Sequence, residues 1–363
     1  MLSKVKNFFS GLGYAYFNNK YPNMKDLFFS NKPIIAYYGF LGDENFGDEW
    51  VYESAINLFD ECCLLPIQNH STLSVFLIKK VFNNRIRGII IGGGTLIGIR
   101  FYFENYFRKL FSKKIPIYFH GTGVHAVKLN SSMWNLFLDE DYYGGLRGKI
   151  SSKNAFNFSE KKHRYIGDAA FSMFENMDYS GDSKKIIINI GTHKDYIGST
   201  KVREELKKFV TYLKENNYSI YFLPMHVNDI FYARKLKEGI PEIKILNIPK
   251  SYDEAIMNFK DATFALGERL HFSVLALLSG VPMRSINYHQ KHMDMLGSID
   301  CDNLGIKPEN FTFESVLLDF LKRENYDKAK VFNNLKVLKD NQLITKQDFI
   351  ESLKVKNDLG VHL

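Results

Sequence analysis

PIIAYYGFLGDENFGDEWVYESAINLF, residues 33–59, decides the fold. Its first eight residues are a β-branched and aromatic run broken at Gly39, the length and ending of a strand. Beyond a glycine-containing loop, Val51, Ala55, Ile56, Leu58 and Phe59 recur at helical spacing, with Asp48 and Glu49 in the first turn, where negative charge favours a helix start. Strand then helix repeats downstream. RGIIIGGGTLIG (87–98) and PIYFHGTG (116–123) read as strands around a helical FENYFRKLFSKK (103–114), and YIGDAAF (165–171) closes the series. A second series has strands at 186–192, 218–226, 243–248, 263–268 and 282–288. Its helices are 201–217, 229–240, 251–262 and 270–280, with INYHQKHMDM (286–295) read as extended. Strands alternating with helices of this length give parallel sheets covered on both faces. The fold class is therefore α/β, and two such series in tandem predict a cleft.

Four segments follow: a basic and aromatic start (1–32), an N-terminal domain (33–175), a C-terminal domain (185–330) and a helical tail (331–363). Residues 175–184, polar and glycine-containing, read as the linker. Of the 363 residues, 45% are hydrophobic and 24% charged, which excludes a disordered chain. No stretch approaches the ~18 apolar residues of a membrane span. Cys62, Cys63 and Cys301 form neither a CxxC pair nor an even framework, pointing to buried thiols in a reducing compartment. Residues 1–17 lack the apolar core of a signal peptide, so the expected location is cytoplasmic. The net charge of +8 favours an anionic partner, although a Lys- and Asn-rich composition explains part of it. In residues 1–32, Lys4, Lys6, Lys20, Lys25 and Lys32 stand against Asp26, with Phe8, Phe9, Tyr14, Tyr16 and Phe17 interleaved. That composition suits peripheral contact with an anionic membrane; an ordinary docking helix is the plainer reading.

Ligands of open α/β sheets bind beyond the carboxyl ends of strands, so the chemistry is sought in the loops there. The first loop carries Asn45, Gly47 and Asp48. Asp48 reads as a helix cap or a carboxylate aimed at a ligand. No Walker A or GxGxxG pattern occurs. The second loop holds Gly93 and Gly94, and the third holds His120 and Gly121; glycines admit a close backbone approach. The fourth, ALGERLHFSVLALLSGVP (265–282), sets Arg269 and His271 at the start of an apolar helix, with Lys291 downstream. A guanidinium, an imidazole and helix N–H groups suit a phosphate or carboxylate. The plain alternative pairs Glu268 with Arg269 and lets His271 cap the helix. His289 and His292 lack acidic companions at metal spacing, so no metal is expected.

Taken in order, YYGFLGDENFGDEW, IIIGGGTLIG, YFHGTGVHA, YIGDAAF and GERLHFSVLALLSGVPMRSINYHQK resemble the polysaccharide pyruvyl transferase family over roughly residues 33–295. The resemblance implies a GT-B-like fold of two Rossmann-type domains facing a cleft, the first on the acceptor side and the second on the donor side. It implies transfer of the enolpyruvyl-derived unit of phosphoenolpyruvate to sugar hydroxyls of a cell-surface polysaccharide precursor, as a pyruvate ketal, with release of phosphate and no cofactor. Arg269, Arg147 and Lys291 take the positions of donor-binding residues, and His271 that of the family's histidine. His120 stands where the family has Gln, and the Arg often found after the second domain's first strand is missing. On chemical grounds His271 is the expected general acid and Asp48 the expected base. The acceptor is expected to be lipid-linked. A nucleotide-sugar glycosyltransferase of the same fold is the alternative, weakened by the lack of an ExxxxxxxE pair. Lys and Arg are not gathered on one motif and no RRM, KH or HTH signature occurs, so nucleic acid is not an expected partner.

Overall fold

The computed structural model describes residues 30–41, 45–68, 85–98, 115–126, 132–191 and 199–358. The readings made for 1–29, for the 103–114 helix and for 192–198 lie outside these residues. The chain forms two compact units. Among described residues, the first takes those up to 41, 48–172 and 338 onward; the second takes 45–47 and 173–337.

The first unit is built on β1 (Ile34–Gly39), β2 (Cys63–Gln68), β3 (Ile86–Ile91), β4 (Thr95–Ile97), β5 (Ile117–Val124) and β6 (Tyr143–Leu146). These strands pair in parallel in the order β2-β1-β3-β5-β4, with β6 beside β5. β1 is buried throughout and divides its side chains by alternation. Ile34, Ala36 and Tyr38 enter one apolar cluster with Trp134, Phe137, Ala155 and Phe158; these come from α2 (Ser132–Asp139) and α3 (Lys149–Ser159). Ile35 and Tyr37 enter another with Tyr52, Ala55 and Phe59, from or just beyond α1 (Phe46–Leu58). Helices thus cover both faces, as the buried strand required.

The second unit holds β7 (Ser180–Asn189), β8 (Ser219–Phe222), β9 (Lys244–Ile245), β10 (Ala262–Gly267), β11 (Met283–Ile286) and β12 (Gly305–Ile306). They form a parallel sheet in the order β12-β11-β10-β7-β8-β9. Its helices are α4 (Ser199–Glu215), α5 (Val227–Gly239), α6 (Tyr252–Met257), α7 (Leu270–Leu278), α8 (Gln290–Ser298) and α9 (Phe313–Leu321). Every residue of α7 is buried, consistent with its unbroken apolar sequence. In α4, Val202, Leu206, Phe209, Val210 and Leu213 form the inward stripe.

Several expectations change. The 175–184 stretch is not all linker, because β7 begins at Ser180. Residues 290–298 are helical rather than extended, and His289 accepts the Lys291 N–H as N-cap. The mostly apolar stretch ECCLLPI (61–67), for which no strand was expected, carries β2 from Cys63, with Pro66 tolerated because β2 lies at the sheet edge. Its Cys62 and Cys63, like Cys301, are buried free thiols. Ser251 and Glu254 have the spacing of a capping box, but at α6 only half of it forms: Ser251 accepts the Glu254 N–H, while the Glu254 carboxylate accepts from Lys250 N.

The tail read as 331–363 starts earlier, as one helix, α10 (Lys328–Asp358), and from residue 338 it belongs to the first unit. Gln342 donates to the Ile166 and Asp168 carbonyls at 3.0 and 2.9 Å. Phe349 packs against the rings of Phe59, Tyr118 and Tyr143. Phe349→Ala is therefore expected to destabilise the first unit by about 3–5 kcal/mol, read as a shift in the urea unfolding midpoint.

Candidate functional site

In the second unit the site grows from the carboxyl ends of β7, β10 and β11. β10 ends at Gly267, where a Cβ would fall 2.1 Å from Phe272 Cδ1, so only glycine lets α7 turn back this tightly. Arg269 is the backbone N-cap of α7, and its N–H donates to Asn189 Oδ1 at 3.1 Å. Its guanidinium pairs not with Glu268 but with Asp229, forty positions earlier. Nη2 lies 2.5 Å from Oδ1, and Nε lies 3.2 Å from both carboxylate oxygens.

Asp229 is fully buried. Its Oδ2 accepts the Met225 and His226 N–H groups at 3.1 and 3.2 Å, and its carboxylate completes the capping box of α5. With Nε and Nη2 so held, Nη1 has no partner among the described residues, and the Arg269 side chain keeps 20% exposure. Burial works to lower the Arg269 pKa, but hydrogen bonding to Asp229 and the Asp229 charge outweigh it and hold the pKa above its ordinary value. Gly191 makes the room, since a Cβ there would sit 2.9 Å from Arg269 Nε.

Glu268, 4% exposed, turns away from Arg269 and accepts the Gly191 N–H through Oε2 at 2.9 Å. Burial is the largest influence on it and pushes its pKa from 4.5 up to about 7. The Gly191 N–H and the Arg269 charge oppose that rise, and the Asp229 charge adds to it. The backbone carbonyl of Glu268 accepts from His292 Nε2 at 2.8 Å, and burial holds His292 neutral, far below its usual pKa. No group of three or more His, Cys, Asp or Glu side chains that could hold a metal occurs among the described residues. Tyr288 lies beside these groups, its pKa raised to about 12, by burial first. Lys291 Nζ lies over the Tyr288 ring, 5.8 Å from its centroid.

His271 stands in the first turn of α7, 8% exposed, and does not cap the helix. Gly47 lies against it, so close that a Cβ would fall 2.1 Å from His271 Nδ1. The short segment carrying Asn45 and Gly47 clusters with this unit: Asn45 bridges to His226, and Phe46 N–H donates to the Met225 carbonyl at 3.0 Å. Arg269, His271, Lys291, Asn45 and Gly47 therefore share one unit. Sequence reading missed Asp229, Asn189 and Gly191; the only local signal was a helix-start Asp after the β8 strand.

The remaining expected residues lie in the first unit: Asp48 in the first turn of α1, Gly93 and Gly94 just after β3, His120 and Gly121 within β5, and Arg147 just after β6. Gly93 and Gly94 pack against the protein's own side chains. A Cβ at Gly93 would fall 2.7 Å from Val51 Cγ1, and one at Gly94, where φ is +88°, 3.0 Å from Phe40. Gly93 N–H donates to the Tyr37 hydroxyl, whose pKa is raised by burial first and then by the Asp48 charge. Asp48 thus lies near Tyr37, half-buried in the first turn of α1. Arg147 is 2% exposed, donates from Nη2 to Thr95 Oγ1 at 3.1 Å and lies over Gly123. His120, expected as an acceptor contact, is instead fully buried beside Phe59 and Tyr118. Neither ring nitrogen has a hydrogen-bond partner among the described residues, and burial lowers its pKa to about 3, so it is a neutral core imidazole. Gly121, at φ +61°, packs on Gly167 and Ala169 backbone.

The sequence profile of the polysaccharide pyruvyl transferase family matches residues 45–290, more than half of the chain. No curated protein sequence matches. Among solved structures, the chain is similar to UDP-GlcNAc 2-epimerase from Neisseria meningitidis, solved with UDP-GlcNAc bound. The identity is 12% and the TM-score 0.54, over 84% of this chain and 97% of that one. The Methanocaldococcus jannaschii UDP-GlcNAc 2-epimerase in complex with UDP-GlcNAc and UDP gives 11% and 0.50, over 82% and 94%. The glycotransferase of kitacinnamycin gives 11% and 0.51, over 89% and 100%. At such identities the likeness speaks for the fold, which is GT-B-like: two parallel sheets, each flanked by helices.

The raised carboxyl of Glu268 has a stability consequence. Between pH 4.5 and 7 the folded chain holds a proton that the unfolded chain has released, so stability falls as pH rises through that window. Urea titrations at pH 5 and pH 8 are expected to show a loss on the order of 3 kcal/mol at most from this group. Glu268→Gln should flatten that part of the slope.

Proposed function

Because the chain belongs to the polysaccharide pyruvyl transferase family, a sugar-acting family on a GT-B-like fold, we propose that it moves the enolpyruvyl-derived unit of phosphoenolpyruvate onto sugar hydroxyls. The observation that carries the reading is Arg269: its guanidinium is fixed along one edge by Asp229, partly exposed, and set at the start of α7, while Lys291 lies over the Tyr288 ring. A pre-oriented fork with one free edge suits a planar carboxylate or a phosphate better than a flexible ammonium does.

In the proposed reaction, His271 delivers a proton to the donor's methylene carbon. A cationic centre then develops at C2, and Arg269 and Lys291 hold the donor's negative charge throughout. A sugar hydroxyl attacks C2 and loses its proton to a base, for which Asp48 is the candidate. The C2–O bond to phosphate breaks, phosphate departs with the electron pair, and a second hydroxyl of the same sugar closes the ketal. Glu268 bears on the donor step. Ionised, it adds a second negative carboxylate, with Asp229, that repels an anionic donor; protonated, it removes that repulsion. Arg147 enters as a scaffold for the β4 and β5 loops, because its buried guanidinium is engaged with Thr95. A lipid-linked oligosaccharide is the acceptor class that fits a cell-surface polysaccharide precursor.

The direct test is incubation with phosphoenolpyruvate and a panel of galactosides and mannosides. Mass spectrometry should find products heavier by pyruvate minus water. Thermal stabilisation by UDP with none by phosphoenolpyruvate would overturn the reading in favour of a nucleotide-sugar enzyme. His271→Ala should lower kcat by about 10²–10⁴-fold, and unchanged turnover would remove it as the acid. Arg269→Lys should raise the donor KM by roughly tenfold or more, through loss of the fixed fork. Asp229→Asn should also raise the donor KM, by freeing the guanidinium from the carboxylate that orients it, as steady-state kinetics will read.

A further inference from the structure

β10 and β11 run side by side and leave the second sheet together. Leu266 pairs with Arg284 and Gly267 with Ser285. Arg269 follows Gly267 and Tyr288 follows Ser285 within a few residues, so both emerge at the carboxyl ends of neighbouring strands, where ligands of such sheets bind. The backbone at Tyr288 is pinned. Asn287 N–H donates to the Ile306 carbonyl at 2.8 Å, and Tyr288 N–H donates to the Ile286 carbonyl at 3.1 Å. The next residue, His289, caps α8.

The ring is held as well. Its centroid lies 4.9 Å from that of the His292 imidazole, with the planes at 56°. His292 Nε2 in turn donates to the carbonyl of Glu268 at 2.8 Å, the residue before Arg269. On the same ring, Lys291 Nζ lies 5.8 Å from the centroid, inside the ~6 Å reach of a cation–π contact. One aromatic side chain therefore joins Lys291 to the turn that bears Arg269.

The hydroxyl end meets the charges of the site. Burial is the first cause raising the Tyr288 pKa to about 12; the Arg269 charge lowers it, and the charges of Glu268 and Asp229 raise it. At neutral pH the group is therefore an O–H, a hydrogen-bond donor rather than a phenolate that would repel an anion. Both carboxyls beside it accept main-chain N–H groups, Glu268 that of Gly191 and Asp229 those of Met225 and His226. Together they offset the Arg269 guanidinium. A neutral O–H on a fixed backbone gives such a cluster one more donor for an oxyanion at no cost in charge.

We infer that Tyr288 is a donor-binding residue, its hydroxyl donating a hydrogen bond to an oxygen of the anion that Arg269 grips. The inference deepens the proposed pyruvyl transfer and rests on it for the identity of that anion as phosphoenolpyruvate.

The test is Tyr288→Phe, which keeps the ring against Lys291 and His292 and removes the hydroxyl alone. The donor KM is expected to rise about tenfold or more, the effect of losing one hydrogen bond to a charged group. The thermal melt should match the parent's, and kcat at saturating donor should fall by less than KM rises. Calorimetric titration with inorganic phosphate and with oxalate separates the donor's two anionic groups, and binding of at least one should weaken by a similar factor. An unchanged donor KM with unchanged binding of both anions would overturn the inference and leave pyruvyl transfer standing. So would a lower kcat at unchanged KM, which would move the hydroxyl from binding to the chemical step. A parent that turns over no phosphoenolpyruvate, but whose phosphate binding weakens tenfold in the variant, would overturn the donor and keep Tyr288 as an anion-binding residue.

Discussion

The second unit is organised around one ion pair. Asp229 is tied by backbone N–H groups at the start of α5, and Arg269 is tied by its own backbone to Asn189 at the end of β7. Joining them fixes the ends of β7, β8 and β10 to one another through side chains. Removing either partner of a buried pair of this kind leaves the other charge uncompensated, a cost of about 3–5 kcal/mol. Asp229 also decides what Arg269 has left to offer, because two of its three nitrogens are already spoken for. A ligand meets an oriented edge rather than a mobile cation, at the expense of a smaller net positive charge.

That trade makes Glu268 more than a neighbour. A cluster of one guanidinium and two carboxyls is a poor host for a dianion unless one carboxyl is neutral, and burial moves Glu268 toward neutrality near physiological pH. The first unit uses burial differently. Its glycine turn after β3, its buried Arg147 and its phenol at Tyr37 are packed on one another. They set the shape of the strand ends and present few free polar groups. The glycines there answer first to Val51, Phe40 and Tyr37.

Much of this was legible in the sequence. The α/β alternation, the helix after Gly47 and the buried α7 follow from period and breaker signals alone, and so does the placing of Arg269 and His271 at a strand end. Residues 143–146, YGGL, gave no strand signal, because glycine carries no side chain to alternate; their pairing with β5 comes from the tertiary neighbour. The 243–248 run has a strand's composition but only two residues pair, since β9 is the outermost strand. Asp229 could not be read as the partner of Arg269, as forty intervening residues carry no local pattern. His120 showed the reverse failure. A histidine after a strand looks chemical, and its neighbours Phe59 and Tyr118 make it part of the core.

The course of α10 bears on how the protein is made. Phe349 and Leu353 complete the apolar cluster under β1, although β1 leaves the ribosome more than three hundred residues sooner. The half of the chain synthesised first must therefore wait, one apolar cluster of its sheet incomplete, until α10 has been made. Chain termination just ahead of Phe349 would wound the unit made first and spare the one made after it.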